Sequence, residues 1–349
     1  MVYLCKLDNR FLRKSKRACL PAYQQLVSIW ITTGRILQSK ASVYGEVLMS
    51  FTNLRLPVIQ APMFLLSGPE MVIASCKAGI VGSFPSPNAR TVDILEHWLL
   101  IITEALVDCS DAAPWALNLV MHRSNPRRHD DLQLAVKYRA PIVITALGSP
   151  EEAVNAVQAY GGKVYADVTT IEFARRAAAS GVDGLALVCC GAGGHTGQLS
   201  PFAFVDEVRQ FFDGDIILSG AIGSGRAIRA AQILGADYVY MGTRFIPTEE
   251  SLAQTDYKAM VVESSGADIV TSDSVTGVKA NWLKGSLINA GYDTDNMPPP
   301  GEINFLEAAG DVKRWRDIWA AGQSVGSISH NQSIAEVVDQ LDKEYRASL

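Results

Sequence analysis

The chain has 349 residues, 48% of them hydrophobic, a formal net charge of −5 and six cysteines. That size and apolar content suit one large α/β domain or two smaller ones, and the acidic balance gives the molecule no general affinity for nucleic acid or an anionic membrane. No apolar run reaches the roughly 18 residues of a membrane span, and the cysteines have neither disulfide nor zinc spacing, which points to a reducing, cytoplasmic setting.

Residues 1–48 differ in composition from the rest of the chain. Lys6, Arg10, Arg13, Lys14, Lys16, Arg17, Arg35 and Lys40 oppose only Asp8 and Glu46. A basic, acid-poor leader has the composition of an organelle transit peptide, but organised patterning begins only after Met49. The expectation is an N-terminal extension over 1–48, outside the fold, and a single domain over 49–349.

From Leu56 onward short apolar runs alternate with helix-period stretches. Strands are predicted at 58–63, 80–84, 115–121, 142–147, 164–168, 184–190, 216–222 and 238–245. Most are apolar on both faces, as buried parallel strands are. Helices are predicted at 69–77, 91–107, from Ser149-Pro150-Glu151-Glu152 onward, and at 170–180, 202–212 and 225–234. Eight strand–helix units in about 200 residues predict a closed (β/α)8 TIM barrel. The rival doubly wound sheet needs a glycine fingerprint after its first strand when it binds dinucleotides, whereas this strand ends in Gln60-Ala61-Pro62-Met63. Residues 249–320 read as an inserted helical segment, with Pro298-Pro299-Pro300 in a loop, and 334–345 as a final amphipathic helix.

Three loops carry candidate chemistry. The sixth strand runs into Cys190-Gly191-Ala192-Gly193-Gly194-His195-Thr196-Gly197, four glycines around one imidazole. Such a loop lets a flat ligand approach the backbone and offers one acid–base group; it also reads as an ordinary tight loop with a solvated histidine. The seventh and eighth strands end in Ser219-Gly220-Ala221-Ile222-Gly223-Ser224 and Met241-Gly242-Thr243-Arg244. Barrels often bind phosphate at these two positions. A basic loop with His122, Arg123, Arg127, Arg128 and His129 lies after the third strand; it suits an anionic substrate or simple solvation. Gly322-Gln323-Ser324-Val325-Gly326 matches the serine-nucleophile pattern, but the preceding 312–321 reads as helix rather than strand, and His330 comes next with no acid between. No His, Asp or Glu cluster has metal-ligand spacing.

Taken together, Gln60-Ala61-Pro62-Met63, Asn118 in Leu117-Asn118-Leu119, the glycine loop with His195, Ser219-Gly220-Ala221-Ile222, Met241-Gly242-Thr243-Arg244-Phe245 and the late Gly322-Gln323 loop resemble the nitronate monooxygenase family, over roughly residues 53–345. The resemblance implies an FMN-binding TIM barrel that oxidises alkyl nitronates with O2 to a carbonyl compound and nitrite. It implies that Pro62, Met63 and Asn118 line the isoalloxazine. Gly193, Gly194, Gly220, Ala221, Gly242 and Thr243 would hold the ribityl phosphate side, and His195 would face flavin and substrate. Many members of the family carry Gln and Glu where this chain has Val188 and Gly191. The same resemblance extends to NAD(P)H-dependent quinone and enoyl-thioester reductases on the same barrel. The alternatives of a different class are a non-catalytic flavin-binding protein and a Ser324 hydrolase.

Overall fold

A computed structural model describes residues 54–300 and 316–349. The extension over 1–48 and its boundary at Met49 lie outside them. Eight parallel strands form the barrel: β1 (Val58–Gln60), β2 (Gly82–Pro85), β3 (Trp115–Val120), β4 (Ile142–Ala146), β5 (Lys163–Val168), β6 (Gly184–Val188), β8 (Asp215–Ser219) and β9 (Tyr238–Met241). Each pairs with its neighbours in chain order, β9 returns to β1, and a parallel bridge between Ile59 and Val81 joins β1 to β2. The TIM barrel expected from the eight strand–helix units is present.

Side chains alternate along each strand. Outward positions such as Leu117, Leu185, Leu187 and Val239 pack against the helices. Inward positions fill the barrel with Ile59, Ile142, Ile144, Tyr165, Ile217 and Tyr240. The helices are α1 (Pro69–Lys77), α2 (Val92–Leu106), α3 (Arg128–Lys137), α4 (Glu151–Gln158), α5 (Ile171–Ala179), α6 (Pro201–Arg209) and α7 (Gly225–Leu234). Thr91, Thr170 and Ser224 cap their helices, accepting from the third amide on at 3.2–3.3 Å. Helix α3 was not anticipated, because its polar first turn, Arg128-His129-Asp130-Asp131, reads as loop. The final helix α10 (Ile334–Arg346) starts with a reciprocal capping box between Ser333 and Glu336 and lies against α7. A Cβ on Gly225 would sit 2.3 Å from the Leu341 carbonyl oxygen, so only glycine permits that approach.

The segment over 249–320 corrects the sequence reading. It holds helices α8 (Thr255–Glu263) and α9 (Lys284–Asn289), but also the antiparallel strands β10 (Ile269–Ser272) and β11 (Ala280–Leu283). Strand β11 pairs on its other side with β7 (Gly194–His195), the two-residue strand inside the glycine loop. The insertion is therefore a hairpin that holds the His195 loop, as well as a helical cover. The helix expected up to residue 321 ends earlier: Asp317 is the last helical residue, and Ala320 bridges to Trp282.

Candidate active site

All ten residues singled out from sequence line one cavity of about 1060 Å3 at the C-terminal end of the barrel. They are Pro62, Met63, Asn118, Gly193, Gly194, His195, Gly220, Ala221, Gly242 and Thr243. The volume lies at the upper end of small-molecule sites.

The Pro62-Met63 turn is fastened from below. The buried Gln60 accepts from the Ser83 amide at 3.0 Å and donates to Ser67 Oγ at 3.2 Å. Ser67 Oγ in turn accepts from the Met63 amide at 3.0 Å. Asn88 donates to the Met63 and Ser67 carbonyls and accepts from the amide of Leu65, which sits at φ 65. Ser67 and Asn88 were missed in the sequence, where nothing distinguishes them from loop residues.

His195 is held by register. It lies opposite Ala280, and Gly194 lies opposite Asn281. Asn281 Nδ2 donates to the Ala192 carbonyl at 2.7 Å, and Thr196 Oγ1 donates to the Cys189 carbonyl at 3.1 Å. Burial pushes the imidazole down to about 4, so it is neutral near pH 7. Cys189 is buried, and burial together with Cys190 raises its thiol to about 12, leaving it unreactive packing.

The two small-residue turns contain commitments the sequence did not reveal. Ala221 adopts φ 56 and gives its amide to the Gly191 carbonyl at 3.3 Å. Gly225, the first residue of α7, gives its amide to Glu344 Oε2 at 2.8 Å, so that helix start is already occupied by a carboxylate. Thr243 Oγ1 accepts from the Gly322 amide at 2.8 Å and keeps its own O–H to donate. Arg244 is buried and donates to Gln332 and Gln340, tying β9 to the C-terminal helix instead of reaching the cavity.

The family departures have local explanations. Gly191 takes φ 85, and a Cβ there would meet Gln323 Oε1 at 2.9 Å; the late loop's glutamine occupies the space a larger residue would fill. Val188 contributes only an apolar wall.

At the floor of the cavity Asn118 stands beside Asp167 and Tyr240, which the sequence reading passed over. Along the inward faces Ala116 is followed by Asn118, Tyr165 by Asp167, and Ile217 by Ser219. Asn118 Nδ2 donates to Asp167 Oδ2 at 3.4 Å. Asp167 Oδ1 and the Tyr240 hydroxyl are buried without hydrogen-bond partners. Burial raises the Asp167 carboxyl to about 7 against the opposing Asn118 hydrogen bond, and raises the Tyr240 phenol well above its usual range.

Arg90, His122, Arg127 and Arg176 also border the cavity. Arg127 is mostly engaged, donating to the Ala89 carbonyl and pairing with Asp131 at 2.9 Å. His129 is exposed and pairs with Glu152. Ser324 lies in a short 3-10 turn, Gln323–Ser327, and His330 pairs with Ser329; the strand-to-helix elbow a serine hydrolase needs is absent from this part of the chain. Among the described residues no group of His, Cys, Asp or Glu is arranged to hold a metal ion, and no helix is long and apolar enough to cross a membrane.

Comparison with known proteins meets this geometry at the family level. The nitronate monooxygenase family description matches residues 46–344. The chain belongs to that family. It is an oxidoreductase of the nitronate monooxygenase type on a TIM barrel. A nitronate monooxygenase of Paraburkholderia phytofirmans is 26% identical, the match covering 87% of this chain and 96% of that protein. A (3aS,4S,5R,7aS)-5-hydroxy-7a-methyl-1-oxo-octahydro-1H-indene-4-carboxyl-CoA dehydrogenase of Rhodococcus jostii is also 26% identical, over 73% of this chain and 70% of its own length. The fold is shared with a nitroalkane oxidase of Streptomyces ansochromogenes, with a TM-score of 0.71 at 21% identity, covering 84% of this chain and 96% of that one.

Proposed function

We propose that the protein binds FMN in the barrel cavity and oxidises alkyl nitronates with O2, giving a carbonyl compound and nitrite. The observation that carries this reading is the convergence of the ten residues on one cavity in a chain of this family. The cavity fits the cofactor. A Cβ on Gly194 would meet nothing within 4 Å, and one on Gly242 would make only ordinary contact with Met63 and Ala61, so both glycines leave room beside the backbone that their protein surroundings do not fill. The orphaned Asp167 Oδ1 and Tyr240 hydroxyl await a polar partner at the floor. Pro62, Met63 and Asn118 would border the ring, and Gly220, Ala221, Gly242 and Thr243 would hold the phosphate end.

When bound, FMN supplies the electron transfer to O2. The protein's part is to position, enclose and move a proton. His195, neutral at working pH, takes the α-proton of a nitroalkane at an imidazole nitrogen and so generates the anionic nitronate in place. Hairpin β10–β11 keeps the imidazole in register for that step. Arg90 at the cavity wall, its guanidinium over the Phe64 ring, provides positive charge for an anionic substrate, whereas Arg176 is paired with Glu172.

Purified protein should be yellow, release FMN and not FAD, and consume O2 with a nitronate. The second reading, an NAD(P)H-dependent quinone or thioester reductase, draws on the CoA-thioester substrate in the name of the Rhodococcus relative. Anaerobic mixing separates the two: bleaching of the flavin by a nitronate supports the first, and bleaching by NAD(P)H alone supports the second. Colourless protein that takes up no FMN would overturn both.

A further inference from the structure

The floor of the cavity is unusual for a barrel interior. One acid, Asp167, stands at an inward position of β5, directly above Tyr165 in the alternation and facing the interior with Tyr240. Its carboxyl has two distinct oxygens. Oδ2 accepts from Asn118, while Oδ1 is buried with no partner. From the surrounding strands the inward groups are Asn118 on β3, Ala146 on β4, Val188 on β6, Ser219 on β8 and Tyr240 on β9. Only Tyr240 among these titrates, and its phenol keeps its proton. Elsewhere on the cavity wall the titratable groups are His195, His122, Arg90, Arg127, Arg176, Tyr257, whose hydroxyl donates to the Ala320 carbonyl, and Asp131, which is committed to Arg127 and Ser86. Burial is the dominant influence on Asp167, and no cation offsets it among the described residues. An ionised carboxylate left in such surroundings is costly, whereas a protonated one can place its O–H on Oδ1 and donate.

We propose that Asp167 meets FMN as the neutral carboxylic acid, its Oδ1 hydroxyl and the Tyr240 hydroxyl donating together to acceptor atoms of the bound ring, so that cofactor binding retains a proton at this site. The inference rests on the FMN reading above and adds to it a role for residues outside the glycine loops. Asp167 is a cofactor-binding residue here, and Asn118 positions it by fixing which oxygen accepts. A donor floor also favours the ring when it becomes more electron-rich on reduction, because hydrogen bonds to an acceptor strengthen as its negative charge grows.

The test uses the full-length protein, freed of cofactor and titrated with FMN by flavin fluorescence at pH 6.5 and pH 8.5. With the carboxyl near 7, wild-type affinity should fall by up to about 25-fold across that interval, one proton being required for binding. Asp167→Asn keeps a donor of the same shape and cannot ionise. It should bind FMN at pH 8.5 at least as tightly as at pH 6.5. Titration of the FMN phosphate affects both proteins equally, so the difference between them isolates Asp167. Identical pH profiles for the two proteins would overturn the proposal, as would a folded Asp167→Asn protein that binds no FMN, since that would require an ionised acceptor. If Asp167→Asn does not fold, wild-type calorimetry at pH 8.5 in two buffers of different ionisation enthalpy decides instead. Net uptake of protons, approaching one per FMN, supports the proposal, and none overturns it. Wild-type protein that binds no FMN at any pH removes the functional reading as well, an outcome distinct from an unshifted profile in a protein that does bind.

Discussion

At the N-terminal end of the barrel, Asp215 Oδ2 accepts from Lys163 Nζ and the Tyr165 hydroxyl, both at 2.8 Å. Asp183 accepts from the Val164 amide and Gln158, and Asp237 accepts from the Ile216 amide and pairs with Arg209. Arg55 joins the same end to Asp339 and Asp342 of α10. At the C-terminal end the pattern reverses. Of the five buried side-chain atoms without a partner among the described residues, three border the cavity: Arg127 Nε, Asp167 Oδ1 and the Tyr240 hydroxyl. The same end holds Leu65, Leu147 and Ala221 at positive φ, a conformation that costs a non-glycine residue free energy. The same strands thus finish most of their hydrogen bonding at one end, where Arg139, at φ 47 and with an unpartnered Nε, is the exception, and leave more of it open at the other. In barrel enzymes the first end gives stability and the second gives chemistry.

That division is broken most sharply by His195→Ala. It should lower turnover by about 10²–10⁴-fold if the imidazole works as a general base, while FMN content stays near wild type. A preformed nitronate should lose less than its parent nitroalkane. Equal losses on both would move His195 from proton removal to anion binding, and unchanged rates on every accepted substrate would remove it from the mechanism.

Gly242→Leu sharpens the comparison from the cofactor side. The backbone at Gly242 has φ −101, which any residue adopts, and a Cβ there makes ordinary contacts. The fold should therefore tolerate the leucine, with a melting temperature of the cofactor-free protein close to wild type, while the side chain intrudes on the cavity. FMN affinity should drop by at least about tenfold, a loss on the order of 1.4 kcal/mol. Unfolding, in place of selective cofactor loss, would show that Gly242 belongs to the structural end after all.

Asp215→Ala attacks the finished end. It removes the shared acceptor of Lys163 and Tyr165, and should cost about 1.5–3 kcal/mol in denaturant unfolding. Activity per folded, FMN-loaded molecule should be unchanged. A large fall in kcat with unaltered stability would contradict the division of labour.

The smallest effect is the pH dependence of the cofactor-free protein. Asp167 is raised from 3.8 to about 7, so the folded state holds a proton that the unfolded chain releases; its contribution is full below 3.8 and is lost as pH rises through 7. His195 is lowered from 6.5 to about 4, so its contribution is full above 6.5 and is lost as pH falls through 4. Between these limits the two oppose each other, and wild-type stability should vary little. Asp167→Asn should expose the His195 slope, at most about 1.4 kcal/mol per pH unit, with stability rising from pH 4 to 6.5. A flat profile in that variant would refute the low imidazole value.

The barrel was legible in the sequence because eight short runs apolar on both faces alternate with helix-period stretches. Strand ends were not. Six of the eight extend in the sequence pattern past their true C-terminal ends, the first to Met63 instead of Gln60 and the last to Phe245 instead of Met241. Most residues there are small or apolar like the strands, but several of them, Ala61, Pro62, Met63, Leu147, Gly220, Ala221 and Gly242, border the cavity instead of continuing the sheet. The glycine loop and the two phosphate-type turns were visible as motifs. Asp167 was not, since one acid in Lys163-Val164-Tyr165-Ala166-Asp167-Val168 breaks no pattern unless the inward register is known. That register, read from Tyr165 two residues earlier, was the available signal. The hairpin over Ile269–Ser272 and Ala280–Leu283 was hidden among helical segments, although Asp273-Ser274-Val275-Thr276-Gly277 between two β-rich runs is a turn signal.

The late loop also imposes an order on assembly. Gln323 gives its amide to the Gly191 carbonyl, Gly322 gives its amide to Thr243, and Asn281 secures Ala192. A growing chain synthesised at about 5–20 residues per second completes the glycine loop well before it reaches Gln323, about 130 residues later. For roughly 7–26 seconds the growing chain has its histidine but not the late loop's hydrogen bonds to Gly191 and Thr243, while Asn281 and β11, which hold the histidine's register, are made partway through that interval. Long-range closure of this kind slows folding. Truncation shortly before Gln323 therefore leaves a chain with every barrel strand and an unlatched site.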